Sequence, residues 1–103
     1  MQTHAAKRVE ITIEAIMQRR LTEALEGADV TGYTILPVRG GGGRSGTWTR
    51  EGNISRGSGM VQVVCIIRPD RLDRLLDAAF AVVEDHIGVV CVTDCEVLRA
   101  ERF

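Results

Sequence analysis

One long glycine-rich segment divides this chain of 103 residues into two parts of similar length. Residues 40–59 read GGGGRSGTWTREGNISRGSG and contain eight of the eleven glycines. Glycine weakens helices and strands because it loses more conformational freedom on ordering than any other residue. Structureless connections of this length are uncommon in compact domains and are usually functional or disordered. The segment is therefore predicted to be a flexible loop, with regular structure on either side of it.

The part before this loop predicts a strand, a helix and a second strand. Residues 7–13 alternate apolar and polar side chains, which is typical of a strand with one buried face. From about residue 14 the apolar residues follow helical spacing as far as Gly27, a residue type that commonly ends helices. Residues 32–38 are the second predicted strand, in which Pro37 favours a strand end or a sheet edge.

The part after the loop begins with the same order. Residues 61–67 are mostly apolar and predict a buried strand. A helix is expected from Asp70, a suitable N-cap. The apolar residues from Leu72 to Val83 recur at every third or fourth position, which indicates one buried face on this helix.

The C-terminal residues complete the second half. Residues 88–92 predict a buried strand and residues 97–102 a short final strand, with a break at residues 94–96 between them. Two β-α-β halves joined by a loop predict an α+β fold, the ferredoxin-like (βαββαβ) sandwich, with the long loop between strands 2 and 3 and a short extra C-terminal strand. The whole chain, residues 1–103, is expected to be one domain.

In such a sandwich both helices cover one face of a four-stranded antiparallel sheet. The uncovered face is expected to be apolar as well, through Val64, Ile66, Val90 and Val92. A small domain with 45% hydrophobic residues then has more apolar surface than it can bury alone. The sequence therefore predicts an oligomer in which copies of the chain cover these faces.

The overall composition argues against several classes of protein. A net charge of −1 does not supply the basic field that most nucleic-acid-binding proteins use. The chain has no run of eighteen apolar residues, and its first residues lack the apolar core of a signal peptide. Its three cysteines, an odd number in apolar stretches, suit buried thiols in a reducing compartment. We therefore expect a cytoplasmic protein.

The sequence offers little for catalysis. His4 and His86 are the only histidines, no Ser-His-Asp or Cys-His arrangement presents itself, and an enzyme is not expected. Glu84, Asp85 and His86 resemble a metal or acid–base cluster, but polar residues also belong at the end of an amphipathic helix. We favour the second interpretation and expect no metal site.

The glycine-rich loop is the leading candidate for a binding site. Backbone N–H groups without side-chain cover, together with guanidinium groups, are what a bound phosphate needs. Residues 40–46 supply the first, and Arg44, Arg50 and Arg56 supply the second. A glycine run is also typical of a plain flexible linker, so this alternative stays open. Trp48 in a polar loop favours a second role, the anchoring of a protein partner.

Four short segments resemble the PII signalling superfamily. They are residues 31–34 (TGYT), residues 38–44 (VRGGGGR), residues 66–70 (IIRPD) and residues 97–99 (VLR). The resemblance extends over nearly all of the chain. It implies a ferredoxin-like homotrimer that binds adenine nucleotides in clefts between subunits. It also implies that a long T-loop, which corresponds to residues 40–59 here, controls partner proteins.

The chain departs from typical PII proteins in ways that bear on its ligands. The family's phosphate loop contains a lysine, whereas residues 84–88 contain none, which favours ADP or AMP over a triphosphate. The T-loop has no tyrosine for uridylylation. Cys65 lies about where the family has a glutamate that supports 2-oxoglutarate and nucleotide binding, so nitrogen sensing is not expected. The chain most resembles the short PII-like proteins associated with carboxysomes and bicarbonate transport, which bind ADP or AMP and in some cases respond to bicarbonate.

The resemblance also implies roles for individual residues. Thr34 and residues 40–42 would border the adenine and the ribose, and Gly88 would bound the phosphates from the opposite loop. Arg44 would reach the phosphates from the base of the T-loop.

The last strand and the T-loop supply the remaining positions. Arg99 matches a family arginine, and Arg102 is a substitute for the next one, which falls at Glu101. The predicted nucleotide-binding set is Thr34, Gly40, Gly41, Gly42, Arg44, Cys65, Gly88, Arg99 and Arg102. The set for bicarbonate or another anion is Arg56, Gly57, Ser58 and Gly59, and the partner-binding set is Trp48 and Arg50.

We therefore predict a cytoplasmic homotrimeric regulator that binds ADP or AMP, with bicarbonate as a further ligand. Nucleotide would order the T-loop, and the ordered loop would control a transporter or an enzyme of inorganic carbon metabolism. The alternative is a ferredoxin-like trimer of the divalent-cation-tolerance type, or an interaction scaffold without nucleotide sensing. Metal binding through His86 and the cysteines would favour the first of these, and a T-loop that ignores nucleotide would favour the second.

Overall fold

The computed structural model of the chain describes residues 1–43, 46–49, 59–99 and 101, and of residues 43 and 46–49 it describes the backbone only. In chain order the elements are β1 (His4–Glu14), α1 (Gln18–Gly27), β2 (Thr34–Pro37), β3 (Gly40–Gly43), β4 (Gly46–Thr49), β5 (Met60–Ile67), α2 (Leu72–Val83) and β6 (Gly88–Val97). A 3-10 turn precedes each helix, at Ala15–Met17 and Pro69–Arg71. None of the helices in these ranges has the length and apolar character needed to cross a membrane.

Four strands form one antiparallel sheet in the order β2-β5-β1-β6. The central strand β1 pairs with β5 from Lys7 to Glu14 and with β6 from His4 to Ile13. Strands of the first half (β2 and β1) therefore alternate across the sheet with strands of the second half (β5 and β6), as they do in a ferredoxin-like sandwich. This confirms the fold class predicted from the two halves of the sequence.

The core lies between one face of this sheet and the two helices. Val9, Ile11 and Ile13 of β1 have no exposed surface, since the two-residue period of the strand directs them all to the same face. Leu25 of α1 and Leu75 of α2 belong to the same buried cluster. Burying a side chain of this size contributes about 1.5–3 kcal/mol to folding. The alternation in residues 7–13 is therefore the pattern that fixes the helix-covered face.

The residues predicted for the uncovered face divide between both faces. Val90 and Val92 of β6 pair with Ile11 and Val9, so they lie on the helix-covered face. Val90 packs against the core, and Val92 is partly exposed near the sheet edge. Their assignment to the uncovered face is wrong because facing depends on register, and a difference of one residue reverses it.

The uncovered face is a mixture of apolar and polar side chains. Val64 and Ile66 of β5 lie on it, as predicted, opposite Glu10 and Arg8 of β1. Arg8 and Glu10 form an ion pair on this face. Val89 of β6 is 66% exposed, and Ile66 is 42% exposed. Exposed apolar surface therefore flanks a charged strip on β1, with Ile66 of β5 on one side and Val89 of β6 on the other.

The predicted break at residues 94–96 is not present. β6 is continuous from Gly88 to Val97, and β1 pairs with it over this whole length. Side-chain contacts from Lys7 to Asp94 and from Thr3 to Glu96 accompany the backbone pairing. These cross-strand partners explain why polar residues lie within a strand here. Residues 98, 99 and 101 form no separate final strand.

The glycine run is more regular than predicted. Residues 40–43 are the strand β3, which pairs with β4 as a separate two-stranded sheet in the register Gly40 to Thr49 and Gly43 to Gly46. The expectation of a structureless loop is wrong for these residues. Pairing requires only backbone N–H and C=O groups, which glycine supplies, and the partner segment GTWT contains residue types that favour strands. Residues 44, 45 and 50–58 lie outside the described residues.

A core truncation tests the helix-covered face. We expect Ile11→Ala to lower the free energy of unfolding by about 2–5 kcal/mol, because it removes apolar contacts and leaves a cavity. Urea denaturation followed by circular dichroism measures this change. The matched control is Ile16→Ala, since Ile16 is 71% exposed and loses little on truncation. Equal losses in the two variants would contradict the assignment of the core.

Candidate functional site

An open groove of about 550 Å³ lies over the β2 edge of the uncovered face. Thr34 at the start of β2 and its register partner Val64 line it, together with Ile66. Residues 97–99 contribute another part of the wall, because the chain after β6 lies against this region. A volume of this size is within the usual range of small-molecule sites. The structure thus brings together two predicted site residues, Thr34 and Arg99, which are far apart in the sequence.

The described lining of the groove offers an apolar floor and an exposed cation. Ile66, which is 42% exposed, supplies apolar surface that suits an aromatic ring, and Val64 beside it is 9% exposed. The Nε of Arg99 lies 3.3 Å from Oε1 of Glu101, and both side chains are largely exposed. Exposed ion pairs of this kind contribute little stability, so the guanidinium is readily available to an anionic ligand. The arrangement can therefore hold a ring and an attached anionic group.

Tyr33, which sequence analysis did not assign to the site, also lines the groove. Its hydroxyl donates a hydrogen bond to Oε1 of Glu26 at 2.7 Å. This bond to a carboxylate raises the pKa of Tyr33 above its ordinary value. Asp29, between these two residues, has a positive φ of 64° and an ion pair to Arg74 at 2.9 Å. The end of α1 thus contacts α2 and Tyr33, the residue directly before Thr34.

Cys65 was assigned to the nucleotide set by position, and the structure argues against it. Its side chain is 1% exposed and belongs to the core cluster on the helix-covered face. Burial raises the pKa of its thiol to about 11. A ligand on the uncovered face meets the neighbouring residue, Val64, instead. We therefore remove Cys65 from the predicted set.

The other predicted glycines lie away from the groove, with Gly88 at the β6 edge of the sheet and residues 40–42 after the end of β2. Gly88 at the start of β6 is in register with Ile13 of β1. Across the sheet from Ile13 follow Val61 of β5 and Pro37 of β2. Three strand spacings, about 14 Å in total, therefore separate Gly88 from the β2 edge. Residues 40–42 follow β2 closely in the chain. One chain does not bring these two parts of the predicted site together.

Gly88 has a packing role in addition to its predicted one. A Cβ at this position would lie 3.1 Å from the backbone oxygen of Thr12 and 3.1 Å from Cγ1 of Val83. Both distances are shorter than ordinary van der Waals contact, so β6 begins where only glycine fits without displacement. The requirement for glycine here is therefore at least partly structural.

A network of contacts that sequence analysis did not foresee surrounds Glu14, the last residue of β1. Its Oε1 accepts a hydrogen bond from the backbone N–H of Ile87 at 3.0 Å and lies 3.4 Å from Nδ1 of His86. The next backbone N–H, of Ala15, donates to the carbonyl oxygen of Gly59 at 2.7 Å. The turn before β6 and the end of the T-loop are thus attached to consecutive residues. The only sequence signal is a carboxylate at a strand end.

Several predicted site residues cannot be placed. Arg44 and Arg102 of the nucleotide set lie outside the described residues, as do Arg50, Arg56, Gly57 and Ser58, and the side chain of Trp48 is not described either. Of the anion set only Gly59 is described. Within the described part of the chain, no group of three or more His, Cys, Asp or Glu side chains has the arrangement of a metal site.

A family model described as nitrogen regulatory protein P-II matches residues 6–102. The match covers almost the entire chain, and the chain therefore belongs to the P-II family of regulatory proteins. This confirms the resemblance stated from the four short segments. No curated protein sequence gives a significant match.

Solved structures agree with this family. CPII, a nitrogen regulatory PII-like protein from Thiomonas intermedia K12 whose structure contains ADP, AMP and bicarbonate, is 26% identical with a TM-score of 0.89, over 99% of this chain and 96% of that chain. Its structure with ADP and bicarbonate is 28% identical with a TM-score of 0.84, over 99% and 97%. A PII-like signalling protein from Thermus thermophilus is 23% identical with a TM-score of 0.79, over 100% and 99%, and shows the fold alone.

Replacement of Gly88 tests its packing role. We expect Gly88→Ala to lower the free energy of unfolding by about 1–3 kcal/mol, because the added methyl group displaces Thr12 or Val83. Thermal unfolding measures the change. Gly27→Ala is the control, since a Cβ there has open space and alanine favours the end of α1. A Gly88→Ala protein as stable as the control would show that β6 adjusts freely.

Thiol labelling tests the burial of Cys65. At pH 8 we expect a maleimide reagent to modify Cys65 far more slowly in the native protein than in protein unfolded in urea, because burial limits access and the raised pKa leaves little thiolate. The raised pKa contributes stability that is fully present below the ordinary pKa near 9.0 and is lost as the pH rises through about 11. Mass spectrometry gives the two rates at Cys65. Equal rates would place Cys65 at the surface.

Proposed function

We propose that this protein is a PII-like regulator that binds ADP or AMP, with bicarbonate as a further ligand, in clefts between the subunits of a homotrimer. The observation that carries this proposal is the groove containing Thr34, Val64 and Arg99, on the uncovered face of the sheet. The groove combines an apolar floor with an available guanidinium, the two features that an adenine nucleotide requires. The CPII structures that contain ADP support the same ligand class.

The division of the predicted site supports a cleft shared by two chains. The groove and residues 40–42 lie at the β2 edge, whereas Gly88 lies at the β6 edge. A ligand that contacts both parts therefore needs the β6 edge of a second copy. A closed ring of three copies supplies one such pairing at every interface. The exposed apolar side chains of the uncovered face, including Ile66 of β5 and Val89 of β6, are suitable surface for these contacts.

The T-loop would transmit ligand binding to a partner. Its first strand, β3, follows the groove residues in the chain, and Gly59 at its end is bound to Ala15. A ligand changes the loop only if it binds one loop conformation better than another. Contacts from nucleotide phosphates to the loop arginines would provide this difference. The partner that we propose is a transporter or an enzyme of inorganic carbon metabolism.

Isothermal titration with ADP and AMP tests the ligand. We expect binding close to one nucleotide per chain, tightened by bicarbonate. Arg99→Ala should weaken ADP binding about tenfold or more, because a charge-assisted hydrogen bond contributes about 1.5–3 kcal/mol. The control is Arg19→Ala, which removes an exposed arginine of α1 that is paired with Glu23 and lies on the helix layer. Unchanged affinity in Arg99→Ala would remove Arg99 from the site.

Two further outcomes decide between the proposal and its alternatives. Light scattering on the same sample should give three times the chain mass of 11.3 kDa. Absence of heat with ADP, AMP and ATP, with and without bicarbonate, would contradict the proposal. The chain would then be a scaffold of the P-II family whose T-loop docks a protein without a nucleotide.

A further inference from the structure

We propose that Glu14 makes the binding site select nucleotides by the number of their phosphates. Its carboxylate is an internal anion that competes with nucleotide phosphates for the hydrogen-bond donors of the turn before β6, residues 84–87. It would thereby lower the affinity for ATP relative to ADP and AMP. The inference deepens the proposed function and rests on one part of it, the placement of phosphates beside Gly88. Glu14 carries none of the roles predicted from the sequence.

The first argument is that Glu14 already occupies the donors that a phosphate would use. Its Oε1 accepts from the backbone N–H of Ile87, the residue directly before Gly88, and lies 3.4 Å from Nδ1 of His86. Backbone N–H groups and imidazole are typical phosphate ligands. A phosphate that binds at this turn must therefore displace the carboxylate.

The second argument is that the carboxylate is held in place. Glu14 follows Ile13, which has no exposed surface, and Ile13 pairs with Val61 on one side and Gly88 on the other. Its side chain is only 24% exposed, so water screens its charge less than that of a surface carboxylate. Moving this group away costs more than moving a side chain on a free loop would.

The third argument is the charge around the turn. Glu84 and Asp85 are exposed in the same turn, and residues 84–88 contain no lysine or arginine. His86 is the one side chain of the turn that can carry positive charge, and Glu14 already contacts it. Each additional phosphate brings more negative charge towards these carboxylates, so the unfavourable energy increases from AMP to ADP to ATP.

A purely structural role for Glu14 explains the contacts less completely. Ile87 is 60% exposed, so its backbone N–H can be satisfied by water without any carboxylate. A neutral glutamine would satisfy the same donor equally well. Beyond its contact with His86, the charge of Glu14 acts on any anion that approaches the turn, and the proposed ligand is an anion.

The test is Glu14→Gln, titrated with AMP, ADP and ATP and compared with the unaltered protein. Glutamine keeps an acceptor oxygen for Ile87 and removes the charge. We expect the affinity for ATP to rise about tenfold, that for ADP to rise less, and that for AMP to stay within about twofold. An equal change for all three nucleotides, or no change, would overturn the inference.

The matched controls are Glu84→Gln and Asp85→Asn, which remove the same charge from exposed positions of the same turn. We expect each of them to change the ATP-to-AMP affinity ratio by less than about threefold, because water screens exposed charges. If either control matches Glu14→Gln, the effect belongs to the general negative field, and Glu14 has no special role.

A measurement on the unaltered protein remains decisive if Glu14→Gln does not fold. In nitrogen-15 NMR, the amide resonance of Ile87 should shift more with ATP than with AMP, since the phosphate replaces the carboxylate as its partner. An Ile87 amide that ATP does not shift, at saturation, would overturn the inference.

The two proposals fail in different ways. Binding of nucleotides by both proteins with unchanged ratios between the three affinities overturns the role of Glu14 and leaves the proposed function intact. If neither the unaltered protein nor Glu14→Gln binds any of the three nucleotides, both proposals are overturned.

Discussion

The fold depends on the antiparallel pairing of β1 along both of its edges. This strand supplies three residues with no exposed surface, and its register with β5 and β6 determines which residues of those strands face the helices. Because every neighbour is aligned against it, the same strand also determines what remains on the other face. The core and the open face are therefore two results of one set of backbone hydrogen bonds.

The same arrangement of strands explains why the two parts of the predicted nucleotide site are separated in one chain. The two outer strands, β2 and β6, have one unpaired edge each and carry different parts of the predicted site. The groove with Arg99 lies at one edge, and Gly88 with the turn before it lies at the other. The proposed site therefore needs a second copy of the chain, which would bring its β6 edge to the groove of the first.

Sequence periodicity was a good guide where one face of an element is buried. Residues 7–13 and 72–83 were assigned correctly because burial imposes a period of two on a strand and about three and a half on a helix. It failed in β6, where polar residues pair with polar residues of β1, and in β3, where glycine gives no side-chain pattern. Of the predicted nucleotide-binding residues, Thr34 and Arg99 line the same groove. Cys65 faces the core because side chains alternate along β5 and its register partner Val9 is on the helix-covered face.

By itself the sequence determined the order of the four sheet strands and the two helices, the family, and the glycine and arginine content of the loop, since these depend on local pattern and residue type. Only the tertiary structure decided which face each side chain of β6 takes, because facing follows register with a strand far away in the chain. It alone showed Glu14 bound to the amide of Ile87, a contact across 73 positions. No local pattern encodes such a contact, because the two residues become neighbours only when β1 and β6 pair.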